Sequence, residues 1–201
     1  MLLVDCEICR QLGDVDTSFS KYGWPENTTS LEPAAGQLEL VAAEYRDVER
    51  HHFRRCSLCG TYYQYDLTYE YLVNGSEDSE ELRRLTPTQA RRFLTADEYA
   101  ARQAEQAAAL DHPHEATRRF AARSVFEQHV AQAEWAAAGQ LLAHTDPVIA
   151  GAALSQLDYL LDSSADRAAF APLQPALAGL AARPGRFDSW AAHLLRYLSP
   201  G

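Results

Sequence analysis

The chain predicts an α+β protein, with a small antiparallel sheet region over residues 1–85 and an all-α, helical-hairpin half over residues 86–201. Three observations carry that division. All four cysteines fall in two C-x-x-C pairs within the first 59 residues. A run of alternating tyrosines follows the second pair and has the period-two pattern of a strand. From Ala100 onward, 28 of the 102 residues are alanine, the best helix former. At 201 residues and 47% hydrophobic the chain can bury a sizeable core, which excludes the disordered and fibrous classes.

Charge narrows the choice of partners. The formal net charge is −10, with 16 acids against 8 bases in residues 1–90 and 12 against 10 thereafter. Such a balance argues against unaided binding to nucleic acid or to an anionic membrane and favours a basic protein partner. No apolar run approaches the roughly 18 residues that cross a bilayer, and Met1-Leu2-Leu3-Val4 runs into Asp5 without a basic flank. The expected compartment is the cytoplasm.

Cys6-Glu-Ile-Cys9 and Cys56-Ser-Leu-Cys59 together offer four thiolates, the ligand set of a closed tetrahedral zinc site. A two-residue gap lets one tight turn present both sulfurs to one ion. Gly60 follows the second pair, where positive φ lets backbone N–H groups point at the sulfurs. These residues resemble the zinc-ribbon group, in which two cysteine knuckles at the ends of β-hairpins clamp one ion. The resemblance covers about residues 1–75 and implies structural Zn²⁺ on Cys6, Cys9, Cys56 and Cys59. Arg10 stands where the first knuckle prefers glycine. Cys9 and Cys56 are separated by 46 residues, against the roughly 15 to 20 of a compact double C-x-x-C site. A redox pair or a disulfide framework fits less well, because Cys59 leads into strand-like sequence and the expected compartment is reducing. His51 and His52 raise the alternative of a mixed site, but four cysteines already saturate a tetrahedron.

After Gly60, Tyr63, Tyr65, Leu67, Tyr69, Tyr71 and Val73 alternate with mostly polar residues. They predict a half-buried strand with an aromatic face that is core or interface. Asn74-Gly75 should turn the chain, Glu49 to Arg55 should supply the hairpin partner, and residues 38–41 should add a short strand. The acidic run 76–81 precedes Leu82-Arg83-Arg84-Leu85 and reads as the N-terminal turn of a helix, with acids and bases placed to suit its dipole.

Thr86-Pro87-Thr88-Gln89 has the form of a capping box and predicts a helix start. Thr95-Ala96-Asp97-Glu98 repeats the signal and predicts a second helix to about Leu110. A third is expected over about 114–130, with Phe120, Val125, Phe126 and Val130 forming one apolar stripe. From about residue 132 the chain resembles HEAT-type helical repeats. Residues 134–142 read as a first helix, Asp146 caps a second and Pro147 opens it. An offset of 38 residues aligns Ala153, Leu157, Tyr159 and Leu160 with Ala191, Leu195, Tyr197 and Leu198, close to the roughly 40-residue HEAT period. A plain helical bundle fits the same pattern. Trp135 and Trp190 are either core or an exposed binding face.

No G-x-S-x-G, H-E-x-x-H, phosphate loop or dinucleotide fingerprint occurs, and His112-Pro113-His114 reads as a loop. The expected function is non-catalytic protein binding by an acidic, zinc-stabilised molecule, one version being an inhibitor or immunity protein for a basic partner. The alternatives are a nucleic-acid-binding zinc ribbon using Arg54, Arg55, Arg83 and Arg84, and a small enzyme with a site between the two halves.

Overall fold

Alternation of extended and turn-forming residues builds the N-terminal sheet as successive antiparallel hairpins, described in a computed structural model that covers residues 6–22, 24–25, 30–73 and 75–198. The strands are β1 (Val15–Lys21), β2 (Trp24–Pro25), β3 (Glu39–Arg46), β4 (Glu49–Arg55), β5 (Tyr62–Leu72) and β6 (Gly75–Arg84), with the short helix α1 (Glu32–Ala35) before β3. They form one six-stranded sheet in the order β2-β1-β6-β5-β4-β3. The chain divides into two compact units, Met1–Leu85 and Thr86–Gly201.

β5 pairs with β4 so that Arg55 faces Tyr62 and Glu49 faces Thr68. The cysteine turn 56–59 is therefore the connection of this hairpin. The β5 tyrosine face is buried at one end only: Tyr63 is 0% exposed and Tyr65 5%, whereas Tyr71 is 82% and Val73 103% exposed. Of the aromatic face expected to be core or interface, the Tyr63 and Tyr65 end is core and the Tyr71 end is exposed. The side chains that bury Tyr63 and Tyr65 come from the cysteine turns and from Leu31, Ala35 and Leu38, and that cluster stops short of the far end of the strand.

The acidic run is strand, not the start of a helix. Residues 76–81 belong to β6, which pairs along its length with β5 and with β1. Its acids find partners across the sheet on β1, along their own strand and in the segment before α1. Lys21 Nζ lies 2.5 Å from Glu77, the Ser20 hydroxyl donates to Asp78 at 3.3 Å, the Ser30 hydroxyl and the Leu31 N–H donate to Glu80, and Arg83 pairs with Glu81 at 2.6 Å. Hydrogen bonding on both flanks outweighs the weak strand propensity of Glu, Asp and Ser.

The second unit holds α2 (Ala96–Ala108), α3 (Glu115–Ala131), α4 (Trp135–Leu142), α5 (Pro147–Ser163), α6 (Gln174–Ala181) and α7 (Asp188–Leu198). Thr86 and Gln89 do form reciprocal capping hydrogen bonds, Gln89 N–H to Thr86 Oγ1 at 3.2 Å and Thr86 N–H to Gln89 Oε1 at 3.0 Å. No α-helix propagates from them: a turn leads only into a 3-10 segment, Arg91–Phe93. The helix starts instead at Thr95, whose hydroxyl accepts from Glu98 N–H while the Glu98 carboxylate accepts from Thr95 N–H. Asp146 caps α5 by accepting from Val148 N–H at 2.8 Å, and Pro147 fills the first helical position.

α3 packs on α5, and the hairpins α4–α5 and α6–α7 touch through α4 and α6. Their core includes Phe126, Leu142, Leu154, Leu157, Leu173, Leu177 and Leu194. Trp135 and Trp190 are partly buried against it. The buried faces of α5 and α7 match one residue away from the offset read in the sequence, Leu154, Leu157 and Leu161 corresponding to Ala191, Leu194 and Leu198. Tyr159 and Tyr197 are both partly exposed, at 37% and 43%. Among the described residues no helix is long and apolar enough to cross a membrane.

Candidate metal centre

The four cysteines come together at one end of the sheet. Cys56 and Cys59 sit in the β4–β5 connection, while Cys6 and Cys9 precede β1, with Cys9 opening the 3-10 segment Cys9–Gln11. All four are free and buried, at 0%, 1%, 0% and 6% exposure for Cys6, Cys9, Cys56 and Cys59. Their sulfurs lie within 4.8 Å of one another. Cys6 Sγ is 3.6 Å from Cys56 Sγ, and Cys9 Sγ is 3.3 Å from Cys59 Sγ. Both separations are far longer than the roughly 2.05 Å of a disulfide. They are near the edge of a sulfur tetrahedron, about 3.8 Å for a metal–sulfur bond of about 2.3 Å.

Each pair is shaped by the same backbone bond, from Arg10 N–H to Cys6 O at 3.0 Å and from Gly60 N–H to Cys56 O at 2.8 Å. The second turn then enters the left-handed region at Gly60, φ +72°, where a side chain would be strained. In the first pair Arg10 continues into the 3-10 segment, outside the left-handed region, so no glycine is required. The first knuckle is therefore a helical turn rather than the end of a β-hairpin, a departure from the ribbon pattern.

The surroundings act on the sulfurs in opposite directions, and burial pushes the Cys56 thiol up. Cys59 is held far below the ordinary thiol value of 9.0, at about 4, first because Cys9 hydrogen-bonds to it, and Thr61 contributes in the same direction. The Thr61 hydroxyl is 3.1 Å from Cys59 Sγ. Cys9 is pushed up by the hydrogen bond it shares with Cys59 and by burial, while Tyr63 acts to lower it. Burial pushes the Tyr63 hydroxyl above its usual range.

Behind Tyr63 stands Arg84, 3% exposed. Its Nε donates to Tyr63 Oη at 3.2 Å, its Nη2 to the carbonyls of Cys9 at 3.1 Å and Leu12 at 2.6 Å, and its Nη1 to Asp14. Burial works against the Arg84 charge, but Tyr63 and Asp14 hold its pKa above the ordinary value. A buried cation thus ties the Cys9 turn to the sheet and sits behind the thiolates.

That arrangement separates the four arginines grouped in the sequence. Arg84 is sealed inside. Arg83 pairs with Glu81, and Arg54 Nη1 donates to the carbonyls of Ala35 and Leu38 at 3.0 and 3.2 Å. Arg55 is exposed and lies over the Tyr62 ring. His51 Nδ1 is 2.7 Å from Asp66, whose hydrogen bond raises the His51 pKa. His52 lies between the rings of Tyr45 and Tyr65, and its pKa is lowered by burial. Among the described residues neither histidine belongs to the cysteine cluster.

Sequence reasoning missed Tyr63, Arg84, Asp14 and Thr61 as supports of this centre. Thr61, directly after the C-x-x-C-G motif, was open to a local reading. Arg84 and Asp14 meet only through the β1–β6 pairing. Chemically the site is a closed set of four sulfur donors able to hold one metal ion, with no water position left over. Comparison with family models, curated proteins and solved structures finds no match to this chain.

Proposed function

We propose that this is a non-catalytic interaction protein whose sheet unit is organised by one structural Zn²⁺ on Cys6, Cys9, Cys56 and Cys59. The observation that carries the reading is the buried sulfur tetrad, whose members lie within 4.8 Å of one another. All-sulfur tetrahedra suit zinc, and four protein ligands leave no open position for water activation. The site therefore supplies folding energy rather than chemistry. The net charge of −10 makes a basic protein the fitting partner, as in an inhibitor or immunity protein that covers a cationic enzyme. The helical hairpins α4–α5 and α6–α7, touching through α4 and α6, support a HEAT-like scaffold that presents a surface.

A binding panel tests this. The metal-loaded chain is titrated with strongly basic proteins and with single- and double-stranded oligonucleotides at about 50 mM salt, then at about 500 mM, where the screening length falls to a few ångströms. Expected is association with a basic protein that weakens at least tenfold at high salt, and no retardation of oligonucleotides. Retarded oligonucleotides with no basic protein bound would contradict the reading.

A further inference from the structure

Antiparallel partners share a face of the sheet, so the register sorts its charges. The face that carries Asp66 has seven acids against four bases, counting the arginine that the sequence has at position 46. The face that carries Tyr65 has three of each. The acid excess of the sheet therefore lies on one side.

On the two central strands of that side the carboxylates are set out in opposed pairs. Asp66 faces Glu81 and Glu70 faces Glu77, with Thr68 and Ser79 facing each other between them. Like charges directly opposite destabilise a sheet. Lys21 pairs with Glu77 at 2.5 Å and Arg83 with Glu81 at 2.6 Å, two fixed cations for four carboxylates, and His51 stands beside Asp66 at 2.7 Å. The two acidic pairs are four residues apart, about 13 Å along the strands. Thr68 and Ser79 between them are small and exposed, so nothing bulky fills the space. The row of Glu70 and Glu77 runs on through Lys21 to Trp24, whose side chain is 76% exposed.

We propose that this face is the docking surface for a basic protein, each opposed carboxylate pair receiving one arginine or lysine of the partner and Trp24 serving as the apolar anchor beside them. The inference rests on the interaction function proposed above and adds its place on the molecule. Charge selects the occupant. A guanidinium or ammonium between two opposed carboxylates offsets the repulsion that the sheet alone carries. Nucleic acid and an anionic membrane are repelled, and a second copy laid face to face would set acids against acids. An exposed tryptophan next to charged groups suits an arginine-bearing partner, through its ring face and its apolar area.

Titration of the full, metal-loaded chain with lysozyme, a small basic globular protein, and with nona-arginine at about 50 mM salt tests it. Glu70→Gln combined with Glu77→Gln should weaken both about tenfold, about threefold for each exposed carboxylate, and should flatten the dependence on salt. Asp162→Asn combined with Asp166→Asn, an equal loss of charge at exposed positions of the helical unit, should change either affinity by less than about twofold. Trp24→Ala should weaken lysozyme binding about threefold and leave its salt dependence as it was, because apolar burial is not screened. Zinc content and circular dichroism of each variant verify that the exposed substitutions leave the fold intact. Binding that falls equally with the helical substitutions, or that ignores Glu70, Glu77 and Trp24, would overturn the placement and leave the interaction function standing. A wild-type chain that binds neither probe would overturn both.

Discussion

In the sheet unit, the core cluster among the described residues contains nine buried side chains, four of them cysteines. The corresponding cluster of the helical unit contains eighteen, all apolar. The two units therefore draw stability from different sources. Alanine, leucine and phenylalanine supply the helices with burial that needs no ligand, at about 1.5 to 3 kcal/mol for each large side chain. The sheet unit buries fewer large apolar side chains, among them Phe53, Tyr62, Tyr63, Tyr65 and Leu82, and the far end of its longest strand carries the exposed Tyr71. On the proposed reading its fold rests on a metal held by those sulfurs, an apparent contribution of about 10 to 16 kcal/mol if that metal is structural zinc.

Breaking the centre should give the largest effect. Cys9→Ser, or a strong chelator, is expected to unfold the sheet unit and leave the helical far-ultraviolet signal in place, as followed by circular dichroism with limited proteolysis. Simultaneous loss of both units would erase the distinction. Next comes Arg84→Met, which leaves Asp14 without its buried partner and should cost about 3 to 5 kcal/mol by denaturant unfolding. Metal should remain bound but become easier to extract, because the Cys9 turn loses two of its carbonyl hydrogen bonds. On the other side of the comparison, Leu154→Ala should cost about 2 to 5 kcal/mol through the cavity it leaves without changing the rate of metal extraction. Thr95→Ala should cost about 1 kcal/mol, confined to the helical unit.

A pH measurement sharpens the contrast at the smallest scale. Glu127 is 7% exposed and accepts from the Thr86 hydroxyl at 2.7 Å and Gln156 Nε2 at 3.1 Å. Burial raises its pKa above the ordinary 4.5. The folded helices then bind a proton more tightly than the unfolded chain, so this residue's contribution favours folding at low pH and declines as pH rises from about 4.5 through the folded value. Glu127→Gln should remove that decline in melts recorded between about pH 4 and 7, leaving a neutral group with the same hydrogen-bonding reach. A decline that persists unchanged would assign it to another group.

How far the sequence reveals these features depends on the distance over which each is determined. The cysteine tetrad, β4, β5 and the cap of α2 could be read locally, because spacing, alternation and a three-residue box each contain their own explanation. β6 could not. Its acids look solvated when read along the chain, and only Lys21, Ser20 and Ser30, some fifty residues earlier, reveal that they are paired across a sheet. Arg84 misled for the same reason, since Asp14 and the carbonyls of Cys9 and Leu12 reach it only after folding. The Thr86 box shows the converse: the same capping bonds form at Thr86 and at Thr95, yet an α-helix follows only the second.

The measurement that bears most directly on the central claim is the native mass of freshly purified chain, with elemental analysis of the same sample. The account predicts one zinc ion per chain, retained through gentle desalting, with all four cysteines protected from alkylation until the metal is removed. A metal-free mass with reactive thiols, or a mass lowered by disulfides between Cys6 and Cys56 or Cys9 and Cys59, would contradict it.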